Sequence, residues 1–123
     1  MTAPNLIALT NITGKTTGTN VSTTTAITLL GNAASSGHLY KINTLNVANT
    51  SSSAANVTIN WYTSATSVGT GFAISGLISV PGNATMNIID KTSQYYLEEN
   101  TSLGVIAGTA NAFIVTASYE DLS

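Results

Sequence analysis

Apolar and polar side chains alternate in short segments along most of this chain, and clusters of Gly, Asn and Ser separate the segments. Ile27 and Leu29 share one face of an early segment, and Val57, Ile59 and Trp61 share one face of a later one. A period of two is typical of a β-strand, whereas an amphipathic helix needs a period of about 3.6. The alternation therefore predicts β-strands and no long helix.

The breaks between these segments contain residues that favour turns. Pro81-Gly82 is the strongest signal, because proline presets φ at one central turn position and glycine accepts a positive φ at the next. Short strands about ten residues apart are typical of an antiparallel sandwich. We therefore predict an all-β fold, a single antiparallel β-sandwich of about seven to eight strands. Both a jelly-roll and an immunoglobulin-like strand order fit the pattern. Outside the first 22 residues, the predicted strands lie near 23–30, 39–49, 57–62, 72–80, 84–90, 103–107 and 113–119.

Two details concern the strand at 39–49. Its apolar side chains occupy even positions up to Ile42 and odd positions from Leu45. One extra residue near Asn43 reconciles the two phases, which predicts a β-bulge there. The short polar link that follows predicts a β-hairpin with the strand at 57–62.

Residues 1–22 differ from the rest of the chain. They contain few large apolar side chains and are interrupted by Pro4, Gly14 and Gly18, so they bury little surface on their own. They also lack the basic leader and apolar run of a secretory signal. We predict an extended N-terminal arm at 1–22 and a sandwich domain at 23–123, with an edge strand as the alternative interpretation of the arm.

The low charge of the chain restricts its partners. Charged residues make up 7% of it, against roughly a quarter in an ordinary soluble domain. The basic residues are three lysines, so nucleic acid finds almost no counter-charge, and no segment is suited to spanning a membrane. A formal net charge of −2 leaves little repulsion between copies, which favours self-association. Without cysteine, disulfides and thiolate metal sites are excluded.

Catalytic chemistry has few residues available. His38 and five carboxylates are the groups suited to acid–base work, and the Gly-x-Ser-x-Gly pattern of a nucleophile elbow is absent. The glycine-bounded segment 31–37 is followed by His38 where a phosphate loop requires Lys. Glu98 and Glu99 are adjacent, so in an extended chain they face opposite sides, and together with Asp90 they favour a solvated loop over a cation site. We predict a protein that is not an enzyme and that has no catalytic, cofactor-binding or metal-binding residues.

The aromatic side chains admit two interpretations. Trp61 shares a face with core residues, which leaves three tyrosines for a sheet edge or a subunit contact, where Tyr supplies a large contact area. A flat carbohydrate-binding platform formed with Trp61 is the alternative. The predicted interface residues are Tyr62, Tyr95 and Tyr96, together with Asn11 and Ile12 in the arm.

Several short motifs resemble those of a known class of proteins. They are Ser-Gly-His-Leu-Tyr-Lys-Ile-Asn at 36–43, Val-Ala-Asn at 47–49, Ile-Ser-Val-Pro at 78–81, Tyr-Leu-Glu-Glu-Asn at 96–100 and Ser-Tyr-Glu-Asp-Leu-Ser at 118–123. In their order, the chain resembles small virion structural proteins of tailed bacteriophages, especially those that infect marine cyanobacteria.

The resemblance implies a β-rich protein built into the phage particle. A head decoration protein is the first expectation, and a neck or tail component is the second. The partners implied are copies of the same chain, with a trimer as one candidate, and other virion proteins such as the major capsid protein. A receptor- or carbohydrate-binding module is the alternative of a different class.

Overall fold

The computed structural model describes residues 8–123, which form two antiparallel sheets packed as a sandwich and confirm the predicted fold class. Nine strands lie in these residues, and the one at 95–97 lies outside every predicted strand segment. They are β1 (Ile12–Val21), β2 (Ile27–Asn32), β3 (Leu39–Asn49), β4 (Ala55–Tyr62), β5 (Gly71–Val80), β6 (Thr85–Ile89), β7 (Tyr95–Leu97), β8 (Thr101–Ala107) and β9 (Phe113–Leu122). Residues 8–123 contain no helix long and apolar enough to cross a membrane.

The strand order decides between the two predicted sandwich types. One sheet has the order β1-β9-β3-β6, with β7 also paired to β3, and the other has the order β2-β8-β4-β5. When the three-residue strand β7 is set aside, this is the order of an eight-stranded jelly roll, in which successive strands pass mostly from one sheet to the other. Among the described strands, β4 and β5 form the one hydrogen-bonded pair that is consecutive in sequence.

The predicted hairpin between β3 and β4 is wrong. The two strands lie in different sheets, and the link 50–54 turns the corner between them. The side-chain amide of the buried Asn49 holds this corner by donating to the carbonyls of Ser53 and Val80, each at 2.9 Å. Alternation shows which side chains of a strand face the core, but a corner and a hairpin turn leave the same pattern.

The bulge predicted near Asn43 is confirmed. The register between β3 and β9 shifts between Ile42 and Thr44, so Asn43 is the additional residue. The bulge turns both Ile42 and Leu45 inward, where each is fully buried.

The core lies between the sheets and draws on both. Each buried aliphatic or aromatic side chain contributes about 1.5–3 kcal/mol relative to an exposed one. The largest fully buried side chains are Phe113, Ile42, Leu45, Ile59, Ile89, Leu97, Leu103, Val21, Val47, Val57, Val80 and Val105.

The predicted arm contributes an edge strand to the chain's own sheet. Residues 12–21 form β1, which pairs with β9 over ten consecutive residue pairs. Residues 1–7 of the predicted arm lie outside the described residues. Because β1 pairs with almost the last residues of the chain, its position depends on a contact that spans the whole sequence.

Candidate interaction surfaces

The outer edge of β1 presents backbone groups with no partner among residues 8–123. Asn11 and Ser123 exchange both of their backbone hydrogen bonds, at 2.8 and 3.0 Å. Such pairs alternate with non-bonded pairs in an antiparallel ladder. The backbone N–H and C=O groups of odd-numbered residues in β1 therefore bond to β9, and those of even-numbered residues point away from β9. The residues whose backbone N–H and C=O face outward are Ile12, Gly14, Thr16, Gly18 and Asn20. We call this row the free edge of β1.

The free edge of β1 has less protection against pairing with another molecule than the other sheet edges have. Edge strands are normally interrupted by bulges, kept short, or given prolines or charged side chains, including charges that point inward. The edge strands β2, β5 and β6 each contain register shifts, and β7 has only three residues. β1, by contrast, runs without a register shift and contains no proline. Its one protective device is the inward-facing charge of Lys15, and this charge is paired with the carboxylate of Asp121 within the same chain.

Asn11 and Ile12, two predicted interface residues, lie at the start of this edge. Ile12 is 64% exposed, which is unusual for a large apolar side chain in a regular strand. Asn11 is also exposed, while its backbone is bonded to Ser123. Both side chains are therefore accessible to a partner that approaches the free edge.

Lys15 is held inward by a buried carboxylate that also bonds a histidine. The Nζ of Lys15 lies 2.8 Å from Oδ2 of Asp121, and Nδ1 of His38 lies 2.6 Å from Oδ1. The Asp121 side chain is 8% exposed, whereas those of Lys15 and His38 are 46% and 40% exposed. A carboxylate only accepts hydrogen bonds, so the imidazole Nδ1–H donates. In the sequence, His38 follows the glycine-bounded segment 31–37, and no local pattern indicates this three-residue network.

The network shifts the pKa of two of its members, Asp121 and Lys15, and of the nearby Tyr40. Burial alone raises the pKa of Asp121, but the hydrogen bonds from Lys15 and His38 outweigh burial and hold it below its ordinary value. The same hydrogen bond and the negative charge of Asp121 raise the pKa of Lys15. Burial and the nearby carboxylate also raise the pKa of Tyr40, whose ring packs on Tyr119 with centroids 5.2 Å apart.

Tyr62 lies within the fold and is not accessible to a partner. It is 6% exposed and projects from the outer face of β4, where the loop 63–70 covers it. Gly71 and Gly104 on the flanking strands make room for its ring, since a Cβ at either glycine would lie 2.6–2.7 Å from ring carbons. Ser67 anchors the loop, because its backbone N–H donates to the buried Oγ of Ser102 at 2.9 Å. Tyr62 therefore does not share a surface with Tyr95 and Tyr96.

Tyr95 and Tyr96 instead line a groove with residues of the other sheet. The groove has a volume of about 270 Å³ and opens at the edge of the sandwich opposite β1. Phe72 and Tyr96 are 55% and 44% exposed. Trp61, which the sequence predicts to lie in the core, is half-buried, and the centroid of its ring lies 5.8 Å from that of Phe72. We call this pocket between the two sheets the aromatic groove. Its lining residues are Trp61, Phe72, Ala73, Ile74, Tyr95 and Tyr96.

The acidic residues near β7 have three different surroundings. No group of three His, Asp or Glu side chains within residues 8–123 is placed to hold a metal ion. Asp90 closes a local turn in which Thr92 donates both its N–H and its hydroxyl to Oδ1, and these bonds lower the pKa of Asp90. Glu98 is exposed, whereas both carboxylate oxygens of Glu99 are buried and have no hydrogen-bond partner among the described residues.

We expect Glu99→Met to raise the free energy of unfolding by about 1 kcal/mol, because an unsatisfied buried polar group costs roughly that much or more. Methionine has a similar length and removes the oxygens that lack a partner. Chemical denaturation measures the change, and Glu98→Met at the neighbouring exposed position is the control, with an expected change within about 0.5 kcal/mol. Equal responses of the two variants would mean that the Glu99 carboxylate is solvated.

Comparisons with known proteins leave the family of the chain open. No protein-family model matches it, and no curated protein matches it. Among solved structures, it is similar to a Bacillus protein described under "Bacillus endospore appendages form a novel family of disulfide-linked pili". That alignment has 16% identity and a TM-score of 0.48, and it covers 90% of this chain and 86% of that one. A likeness this distant carries no inference about function, and this chain has no cysteine with which to form a disulfide.

Proposed function

We propose that this protein is a non-catalytic structural subunit whose copies associate through the free edge of β1. The proposal rests on a comparison of β1 with the other edge strands of the two sheets. Among the described edge strands, β1 alone is long, regular and without charged side chains on its outer face. An edge of this kind is a template for strand addition, in which backbone hydrogen bonds supply the affinity.

A second copy fits this edge better than another partner does. The outward side chains carry no charge, and the chain as a whole has a small net charge, so two copies approach without strong repulsion. A two-fold axis beside β1 would place the same strand of each copy antiparallel to the other, which gives a self-complementary contact. At Gly14 a Cβ would have nothing within 4 Å, so the outer face of the sheet is uncovered beside this edge.

We further propose that the assembly belongs to a tailed-phage particle, where the protein decorates or stabilises the capsid. The support for this is the resemblance of its motifs to small virion structural proteins, together with the jelly-roll order, which recurs in viral capsid domains. On a particle, high local density makes weak edge contacts effective through multivalency. Identification of the chain in purified particles, with a copy number that matches head symmetry, tests this placement against the neck and the tail.

We expect Thr16→Pro to weaken self-association by at least about tenfold, equivalent to about 1.4 kcal/mol. The N–H that proline removes points away from β9, so the ladder within the chain keeps its hydrogen bonds, and proline is tolerated at such edge positions. Sedimentation equilibrium measures the association, and circular dichroism checks the fold.

Thr16→Val is the matched control, because valine keeps the N–H and favours strands. Thr16→Lys offers a second disruption that retains the backbone. A wild-type chain that stays monomeric at about 1 mM, or folded proline and lysine variants that associate like wild type, would rule out the free edge of β1 as the contact.

A further inference from the structure

The aromatic groove has the composition of a small-molecule site. Four of its lining side chains are aromatic, and they come from β4 and β5 in one sheet and β7 in the other. Binding sites are typically concave and mostly apolar, with volumes of roughly 300 Å³ or more. At about 270 Å³ the groove suits one or two ring-sized groups and is too small for a folded partner.

The lining of the groove is unsuited to an anionic ligand. No lining residue is charged, so a phosphate, sulfate or carboxylate would lose its hydration without gaining a counter-charge. Gln94, which precedes Tyr95 in the sequence, donates from its amide to Asn43 at 3.1 Å, and Asn43 donates to Glu120; the Gln94 amide is exposed to solvent. Such amides donate and accept hydrogen bonds, and are suited to hydroxyl groups.

The strands beside the groove are poorly suited to an extended peptide. Strand addition needs a regular run of outward backbone groups. β5 contains two register shifts, and β7 is three residues long, so neither provides that run. A ligand here must instead be held by its contacts with ring faces.

We propose that the aromatic groove binds a neutral saccharide. A pyranose ring has an apolar face of C–H groups that packs on aromatic rings, and hydroxyl groups around its rim that reach amides and tyrosine hydroxyls. The groove lies at the edge of the sandwich opposite β1, so association of copies through β1 would leave it open. Several copies in one assembly would then present several grooves, and avidity would strengthen weak binding to a polymer of repeated sugars. The site itself does not depend on that assembly.

The chain carries its own reporter for this test, because Trp61 is its single tryptophan and lines the groove. The probes are linear hexasaccharides of α- and β-linked glucose, N-acetylglucosamine, mannose, galactose and rhamnose. We expect at least one of them to shift the emission of Trp61 saturably, with a dissociation constant of about 1 mM or below.

We expect Tyr96→Ala to weaken that binding about tenfold, because it removes one stacking ring, and Tyr96→Phe to retain most of it. Leu77→Ala is the matched control, since Leu77 is 72% exposed on β5 but does not line the groove. Absence of binding by every hexasaccharide, or equal binding by wild type and Tyr96→Ala, would overturn the proposal. So would tighter binding of decaproline, or of a sulfated form of the same sugar, than of the neutral hexasaccharide.

Discussion

Asp121→Asn is expected to lower the free energy of unfolding by about 2 kcal/mol at neutral pH. The carboxylate of Asp121 is almost fully buried and accepts charge-assisted hydrogen bonds from Lys15 and His38, at 2.8 and 2.6 Å. Asparagine has the same shape but loses the negative charge that both donors face. The loss stays below the 3–5 kcal/mol typical of a fully buried pair, because both donors are half-exposed and solvent screens them.

The same variant should respond differently to acid. The pKa of Asp121 is held below its ordinary value of 3.8, so the folded chain binds this proton more weakly than the unfolded chain does. The network therefore stabilises the fold above about pH 4, and this contribution is lost as the pH falls through the lowered pKa. The difference in stability between wild type and Asp121→Asn should therefore persist down to about pH 4 and narrow as the pH falls further toward 2.

Urea denaturation at a series of pH values measures both effects. Glu120→Gln is the matched control, because it makes the same change of charge one residue earlier, and Glu120 faces the opposite side of β9 toward Asn43. We expect Glu120→Gln to change stability by no more than about 0.5 kcal/mol. A constant gap between wild type and Asp121→Asn at all pH values would show that the carboxylate is not the group that stabilises this end of the sandwich.

Gly104→Ala is expected to destabilise the fold by about 2–3 kcal/mol, although the change adds only one methyl group. The new Cβ would lie 2.6 Å from Cε2 of Tyr62 and 2.9 Å from Cβ of Ser67, closer than packed carbon atoms approach. Relief requires that Tyr62 or the loop 63–70 move off the sheet, which breaks the bonds between Ser67 and Ser102. Thermal and chemical denaturation measure the cost.

Gly14→Ala provides the control for Gly104→Ala, because it is the same substitution within a strand and the added Cβ meets nothing within 4 Å. It should be neutral or stabilising by up to about 1 kcal/mol. In a Tyr62→Ala background, Gly104→Ala should cost less, since the ring that it displaces is gone. If the two glycine variants have equal stability, Tyr62 does not pack across Gly104.

Most of the fold could be predicted from the pattern of apolar and polar side chains among neighbouring residues. The alternation around Ile59 and Leu45 indicates which side chains face the core, and the change of phase at Asn43 locates a bulge, because both depend only on neighbouring residues. β1 is harder to recognise, since its residues are mostly Thr and Gly and its stability comes from β9 more than ninety positions later. The hairpin prediction failed because a link of five residues permits either a turn within a sheet or a corner between sheets.

The candidate surfaces depend on contacts that no local pattern contains. Lys15 and Asp121 are 106 positions apart, and Asp121 and His38 are 83 apart. Alternation along β4 puts Tyr62 on the face opposite Trp61, but the burial of Tyr62 depends on Gly104 on a neighbouring strand and on the loop that covers both. The meeting of tyrosines from β7 with the aromatic residues of β4 and β5 likewise requires the strand order of both sheets.

The pairing of β1 with β9 also sets the order of events when the chain is made. β1 leaves the ribosome before the other described strands, and the strand that completes its ladder begins about ninety residues later, which takes roughly 5 to 20 seconds at typical rates of synthesis. During that interval the apolar side of the sheet around Val21 has no partner strand, and closing so long a loop costs entropy before any contact is gained. The sandwich therefore closes only after β9 is made, and until then the ladder positions of β1 are open to the β9 of a neighbouring chain as well as to its own.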